Sequence, residues 1–398
     1  MTDNFFLMIA LTLAALAWWL VMPLRAAMHD RKLASLAATR CDEPGEWPRV
    51  SVLVPAKNER DTLYEAIQSL LRVDYPNLQA IIIDDRSTDG TGEVAAQLAA
   101  ADPRVRTLRI DELPAGWLGK VHALHRGIDI CDGEWLLFTD ADIHFSPSVL
   151  KLALAYCLAQ KKEFLALFPD FFNPGMLLGS AQAAFGVLLL SMLDFAKITD
   201  PRSQAAMGIG AFNLARRDFI DSGEGLEWLR MEVADDAGLA LMMKRRGAAI
   251  DILSGNGLLR VDWYPTLTSM MNGVMQRVVM GANYHLGVYL LYCLLVCFCL
   301  LAPFGLGLVL SPMSVFGWLS LLLYFLPPVV LRAGIGKFGL PRAALWGIAL
   351  GYAIIAFGML RALVSCVRHG GIYWRGNIYA LKDLRALQRV KMTAFFLP

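Results

Sequence analysis

Charge is scarce in this 398-residue chain: only 18% of its residues are Asp, Glu, Lys or Arg, while 56% are hydrophobic. So little charge argues against a wholly soluble protein, and part of the chain is expected in a membrane. The formal net charge of +2 is too small to suggest nucleic-acid binding. No basic stretch of the central region alternates with aromatics in the way a nucleic-acid surface requires. The seven cysteines are scattered without the spacing of a zinc site, so reduced structural thiols are the expectation. The start, Met1-Thr2-Asp3-Asn4, has no basic residue, which speaks against a secretory signal peptide.

Long apolar runs, by contrast, are present at both ends. Phe5 to Leu24 is uncharged over 20 positions, enough for one bilayer crossing, and residues 1–28 read as an N-terminal anchor. A second block, residues 284–370, carries about three candidate spans: Leu286–Leu310, Val315–Leu331 and Ala343–Val367. Between the blocks, residues 45–283 have the composition of a soluble domain. Arg25, Arg31, Lys32 and Arg40 follow the first span, so this domain is expected to face the cytoplasm from a multi-pass inner-membrane protein. The tail, residues 371–398, raises a conflict. Three spans would put it outside, yet after Arg368 it carries Arg375, Lys382, Arg385, Arg389 and Lys391 against one acid, Asp383. Either one apolar segment is re-entrant, with Pro327-Pro328 marking a candidate, or the charge rule fails; the basic tail suits anionic lipid headgroups.

From Arg49 onward, short apolar runs alternate with helical patterns. The spacing predicts strands at Val50–Val54, Gln79–Ile83, Val105–Ile110 and Glu134–Thr139, with helices at Asp61–Arg72, Gly90–Ala101 and Lys120–Ile130. Such alternation predicts a parallel sheet with helices on both faces. Ligands bind such sheets beyond the carboxyl ends of the strands. Three polar clusters occupy those ends: Pro55-Ala56-Lys57-Asn58-Glu59, Asp84-Asp85-Arg86-Ser87-Thr88-Asp89 and Asp140-Ala141-Asp142. Each has a bland use, as a helix-capping turn, a helix start or a pair of solvated loop acids. Their joint occurrence at successive strand ends favours a common site.

These residues resemble the family 2 inverting glycosyltransferases of the GT-A fold, over roughly Val50 to Gly247 in order. The resemblance implies an α/β fold, a Rossmann-like mixed-sheet domain, here flanked by N-terminal and C-terminal transmembrane helices. It implies a nucleotide-sugar donor, a UDP-sugar in first place, lying along Pro55, Asn58 and Glu59, with Asp84 and Asp85 at the base. Asp142 and Asp140 match the family's Asp-x-Asp, which implies a Mg²⁺ or Mn²⁺ ion at the donor diphosphate. Leu113 to Lys120 is similar to the Gly-Trp-x-Gly-Lys stretch of membrane enzymes that glycosylate hopanoids, carotenoids or ceramide. That match puts Gly119 and Lys120 at the donor, makes Trp117 a candidate for the acceptor or diphosphate, and implies a lipid acceptor.

Further along, Glu232-Val233-Ala234-Asp235-Asp236 resembles the family's Glu-Asp motif, with Asp235 where glutamate is usual. By that match Asp236 is the general base, beside an acid whose charge would raise its proton affinity. The bland use is an acidic first turn favoured by the dipole of a Leu239–Arg245 helix. Gly208-Ile209-Gly210-Ala211-Phe212-Asn213, ahead of a strand at Phe212–Ala215, resembles the loop bordering the acceptor, with Gly210 as its candidate residue. Processive polysaccharide synthases carry Gln-x-x-Arg-Trp after the base, whereas here Gln276 and Arg277 are adjacent and no tryptophan follows. Gln276 and Arg277 stand as candidates for the leaving diphosphate, and the departure favours a single transfer over polymer extrusion. Gly175 to Phe195 is expected as a buried or interfacial helix, and Trp374-Arg375-Gly376 is similar to a juxtamembrane motif of lipid-modifying relatives. A transferase acting on a polyprenyl phosphate and a non-catalytic nucleotide-sugar-binding scaffold are the competing readings.

Overall fold

The computed structural model describes residues 2–172, 175–310, 322–332 and 338–391, and the chain divides into two units. The sheet unit comprises Leu33–Phe172, Asp194–Asp262 and the chain from Ala386 on. Its centre is a seven-stranded sheet whose inner strands are apolar and buried without alternation, as strands covered on both faces must be, while an edge strand is partly exposed. In chain order the seven strands are β1 (Val50–Ala56), β2 (Leu78–Asp85), β3 (Val105–Ile110), β4 (Trp135–Phe138), β6 (Phe164–Phe168), β8 (Asn213–Arg216) and β9 (Ile250–Ser254), arranged β3-β2-β1-β4-β8-β6-β9. The first four run parallel. Strand β8 pairs antiparallel with both β4 and β6, so the sheet is mixed, not wholly parallel.

Parallel pairing sets the carboxyl ends of β1 and β2 level, with Ala56 opposite Asp84. Helices α2 (Arg60–Leu71), α3 (Thr91–Ala101) and α4 (Gly119–Ile128) follow those strands. In α2 the buried positions Leu63, Ala66, Ile67 and Leu70 recur at helical spacing, which presents one apolar stripe to the sheet. A smaller sheet, ordered β5-β10-β7, combines β5 (Ile143–Phe145), β7 (Asp170–Phe171) and β10 (Leu259–Val261). The Asp140-Ala141-Asp142 turn therefore sits between the end of β4 and the start of β5. Helix α5 (Val149–Ala159) follows. Helix α9 begins at Asp235 and ends at Arg245, four residues earlier than the expected start at Leu239, so both acids lie in its first turn. Between these lie α7 (Phe195–Thr199) and α8 (Arg217–Asp221).

The helical unit comprises Met1–Lys32, Asn173–Leu193 and Trp263–Arg385. Helix α1 (Thr2–Lys32) covers the first apolar run, α6 is Gly175–Met192, and α10 (Leu267–Arg277) precedes α11 (Leu286–Leu310). Among the described residues, Gly175–Met192 and Arg342–His369 are long and apolar enough to cross a membrane, and Leu267–Ala282 with Leu286–Leu301 forms a pair bent by 113°. The expected Val315–Leu331 span lies outside the described residues over 315–321, and its end forms a short helix, Leu326–Val330. Inside the unit, Trp19 is buried and its indole N–H donates to the Cys299 carbonyl at 2.8 Å. The α6 helix packs closely on the Arg342–His369 helix through small residues. The Ser180 hydroxyl donates to the Ala344 carbonyl at 2.9 Å, and a Cβ at Gly351 would lie 2.1 Å from the Ser180 carbonyl oxygen. With Gly347 four residues earlier, this is the small-residue spacing by which apolar helices approach backbone to backbone.

That contact leaves no room for a larger side chain. Gly351→Leu is expected to lower the thermal midpoint of the detergent-solubilised protein by the equivalent of about 1–3 kcal/mol. Gly287→Leu, where no atom lies within 4 Å of the added carbon, should leave it unchanged. Equal midpoints for the two variants would contradict this packing.

Candidate active site

The loops after β1 and β2 are laced together by their own side chains. The Asn58 N–H donates to the Ser87 hydroxyl at 3.0 Å, and the Asn58 side-chain oxygen accepts from the Thr88 N–H at 2.9 Å. Glu59 N–H donates to the Thr91 hydroxyl at 2.8 Å, and Arg60 N–H to the Asp89 carboxylate at 3.1 Å. Both loops hold a non-glycine residue with positive φ, Asn58 at 56° and Arg86 at 56°. Residues rarely adopt that conformation unless their surroundings impose it. Pro55 ends β1 within this edge.

Asp84 and Asp85 close β2 and are each 3% exposed, so both need partners. Asp84 accepts from Arg109 at 3.0 Å and from the Ser87 N–H at 3.1 Å. Asp85 accepts a two-pronged pair from Arg86 at 2.7 and 3.0 Å. The sequence reading did not assign roles to Arg86 and Arg109. The adjacency of Arg86 to Asp85 was the available signal; Arg109 reaches Asp84 only through the β2–β3 register. Gly119 connects this edge to the next segment. A Cβ there would lie 2.5 Å from an Asp85 carboxylate oxygen, so only glycine lets α4 start so close to β2. The preceding loop is tied down where the Leu118 N–H donates to the Arg230 carbonyl at 2.7 Å, and Trp117 stacks on His125 with ring centres 5.0 Å apart.

One residue further, Lys120 brings the acids together. Its Nζ lies 2.8 Å from Asp140 Oδ1 and 3.0 Å from Asp235 Oδ2. Burial alone would lower the ammonium's pKa, but the carboxylates of Asp140, Asp235 and Asp236 outweigh it and hold the group above the ordinary lysine range. For Asp236, burial first and the Asp235 charge second push the carboxyl up to about 6, against Lys120 and the Ala237 N–H that oppose them. An acid raised that far is poised to accept a proton near neutrality. Lys120, Thr139, Gly210, Asn213, Asp235 and Asp236 line one pocket, whose remaining wall is largely leucine.

The loop from Gly208 closes over Asp140. Asp140 N–H donates to the Gly210 carbonyl at 3.0 Å, and the Thr139 hydroxyl to the Ala211 carbonyl at 2.7 Å. A Cβ at Gly210 would stand 2.6 Å from Asp140 Oδ2. Gly210 thus borders the acid itself, a role its place in a loop did not reveal. Asn213, at the head of β8, fixes the loop by accepting from the Ile209 N–H at 2.9 Å. Asp140 and Asp142 flank the β4–β5 turn, and the Asp140 side chain is 42% exposed. Two hard carboxylates, one open to solvent, suit Mg²⁺ or Mn²⁺ with phosphate oxygens and water completing the shell. Among the described residues no three His, Cys, Asp or Glu side chains are gathered to hold an ion without such help.

Arg277 belongs to the helical unit. There it donates to the Tyr264 hydroxyl and the Gly273 carbonyl and lies over the Trp374 ring, 5.2 Å from its centre. The Gln276 side chain lies outside the described residues.

Comparison with known proteins follows this geometry. The model of glycosyl transferase family 2 matches residues 51–222. The chain is 29% identical over 117 residues to the putative teichuronic acid biosynthesis glycosyltransferase TuaG of Bacillus subtilis, covering 29% of this chain and 45% of that one. It is 36% identical over 108 residues to the beta-monoglucosyldiacylglycerol synthase of Nostoc sp., covering 27% of this chain and 23% of that one. A third relative, the 4,4'-diaponeurosporenoate glycosyltransferase of Staphylococcus haemolyticus, is 31% identical over 97 residues, 24% of this chain and 25% of that one. The chain thus spans less than half the length of these curated relatives. Among solved structures, the mannosyltransferase PcManGT from Pyrobaculum calidifontis, in complex with GDP-Man and Mn²⁺, superposes with a TM-score of 0.55 at 17% identity over 89% of this chain and 99% of that one. That likeness shows a shared GT-A fold.

The raised Asp236 carboxyl has a consequence for stability. The folded protein holds this proton more tightly than the unfolded chain, so stability falls as pH rises from about 4 through about 6, and the cost persists above. Asp236→Asn removes that cost. It is expected to raise the thermal midpoint near neutral pH by the equivalent of about 1–3 kcal/mol. The gain should shrink towards zero as the pH is lowered to about 4, and a gain independent of pH would refute the assignment.

Proposed function

Residues 51–222 match the model of glycosyl transferase family 2, and from that premise we propose that the chain is a membrane-integrated inverting transferase moving one sugar from a nucleoside-diphosphate donor to a lipid hydroxyl. The observation that carries this reading is the meeting of Lys120, Asp140 and Asp235 at the first turn of α9, with Asp236 raised towards neutrality beside them. In an inverting transfer the acceptor oxygen attacks the anomeric carbon from the face opposite the leaving diphosphate. Asp236 takes the proton of that hydroxyl as the bond forms.

The donor lies along the strand ends, with Pro55, Asn58, Glu59, Asp84, Asp85 and Gly119 about the nucleoside. Asp140 and Asp142 would hold Mg²⁺ or Mn²⁺, which when bound offsets the negative charge of the diphosphate. Lys120 adds a fixed ammonium on the same side and orients Asp140 through its ion pair. Trp117 and Gly210 border the reacting groups.

A lipid acceptor is supported by two of the relatives, one named as making a monoglucosyldiacylglycerol and the other as glycosylating 4,4'-diaponeurosporenoate, and by the apolar helices of the helical unit. Those helices and the basic residues after α1 also support an inner-membrane location with the sheet unit facing the cytoplasm. An acceptor that is already an ionised phosphate would need no base.

Purified protein incubated with UDP- and GDP-sugars, Mg²⁺ or Mn²⁺ and a lipid extract is expected to release nucleoside diphosphate and yield a glycolipid detectable by mass spectrometry. Asp236→Asn should cut turnover by about 10²-fold or more, and kcat/KM of the unaltered protein should fall as the pH drops below about 6. Near-normal turnover of Asp236→Asn would point to a polyprenyl-phosphate acceptor instead. Asp142→Asn should abolish metal-dependent transfer with the protein still membrane-inserted, and no transfer with any donor would leave a nucleotide-sugar-binding scaffold.

A further inference from the structure

Glu232 lies three residues ahead of Asp235 and is only 1% exposed. A carboxylate so deeply buried must be met by donors. Its Oε1 accepts from the Ala234 N–H at 3.1 Å, within the turn that leads into α9. The other oxygen accepts from two consecutive backbone N–H groups near the end of the described chain, Arg389 at 2.6 Å and Val390 at 3.0 Å. The same tail residue grips the turn a second time. Arg389 Nε donates to the Trp228 carbonyl at 3.2 Å, and its guanidinium lies 5.0 Å from the centre of the Trp228 ring. Arg245, the last residue of α9, reaches the same ring at 5.4 Å. Residues more than 150 positions apart in the chain thus clasp the segment on which the two acids are mounted.

The energetics give this clasp a direction. Removing the tail would strip two of three donors from a buried carboxylate, and a buried polar group left unmet costs about 1–3 kcal/mol, more when charged. The turn would then relax by moving Glu232 towards water, carrying Ala234 and the start of α9 with it. Burial already pushes the Glu232 carboxyl up, against the three N–H bonds that hold it down.

We propose that Glu232 is a positioning residue whose capture of the Arg389–Val390 peptide fixes the Asp235–Asp236 turn, so that the C-terminal tail is part of the active site's support. The proposal rests on reading Asp236 as the general base. Tail residues touch no reacting group; they act through Glu232.

Val390→Pro deletes one of the captured N–H groups, and Glu232→Gln replaces the carboxylate by an amide of the same shape. Each full-length variant is expected to lower kcat by about tenfold or more with the donor KM within about twofold, since loss of base placement acts on the chemical step. Hydrogen–deuterium exchange should quicken in residues 232–238 and stay unchanged in β1 and β2. Unaltered kcat and unaltered exchange at 232–238 would overturn the proposal, as would exchange that quickens equally across the whole sheet. The exchange readout needs no substrate. An inactive unaltered protein would therefore sink the transferase reading, while protection at 232–238 would still decide the clasp.

Discussion

Two carboxylates from distant parts of the chain, Asp140 and Asp235, stand at one place because the Lys120 ammonium lies between them at 2.8 and 3.0 Å. Their mutual repulsion in a half-buried cleft would otherwise drive them apart. Much of the site's architecture serves that meeting. Gly119 lets α4 start against Asp85 and so delivers the next residue, Lys120, to the strand edge. Gly210 leaves room for Asp140, and α9 starts at Asp235 so that its first turn faces the same ammonium. The charge balance then decides the chemistry. Lys120 is shared among three acids, and burial together with the Asp235 charge keeps the proton affinity of Asp236 raised.

Much of this was legible in the sequence, for a physical reason. Strands β1, β2 and β4 are nearly continuous apolar runs, and polar residues at their ends stand out because nothing within such a strand tolerates them. Pro55, Asn58, Asp84, Asp85 and Asp140 were visible as clusters on that ground alone. The mixed sheet was implied by the family resemblance alone; reversal at β8 was not visible in the local pattern, since strand direction depends on the long path through α6 and α7 and leaves no mark on four residues. The start of α9 was misjudged because two acids read equally well as loop and as first turn. Lys120 was legible as a cation near the site but not as the hub between two acids, because ion pairing across 20 and 115 positions has no signature in local pattern. Glu232 hides for the same reason: its partners are main-chain N–H groups, which any sequence supplies.

The two units are built on different packing rules. The sheet unit buries wide apolar faces, where volume and burial stabilise. In the helical unit, contact is made where side chains are missing. Gly347 and Gly351 bring one backbone against Ser180, and a hydroxyl-to-carbonyl bond fixes the crossing. Such packing works without a difference in hydrophobicity between helix and surroundings, which is what a lipid environment demands.

The clasp at Glu232 also bears on the path of the chain through the proposed bilayer. Arg389 and Val390 are bonded within the sheet unit, the same unit that holds Asp262 and everything from Leu33 to Phe172. A chain that leaves one side of a membrane and returns to it has crossed an even number of times. On the proposed reading that the sheet unit faces one side of a membrane, the count between Asp262 and Ala386 is even. On the same reading α6, whose flanking residues Phe172 and Asp194 both belong to the sheet unit, would not cross, however apolar it is. Arg389, one of the tail's basic residues, would then stand on the side of the sheet unit.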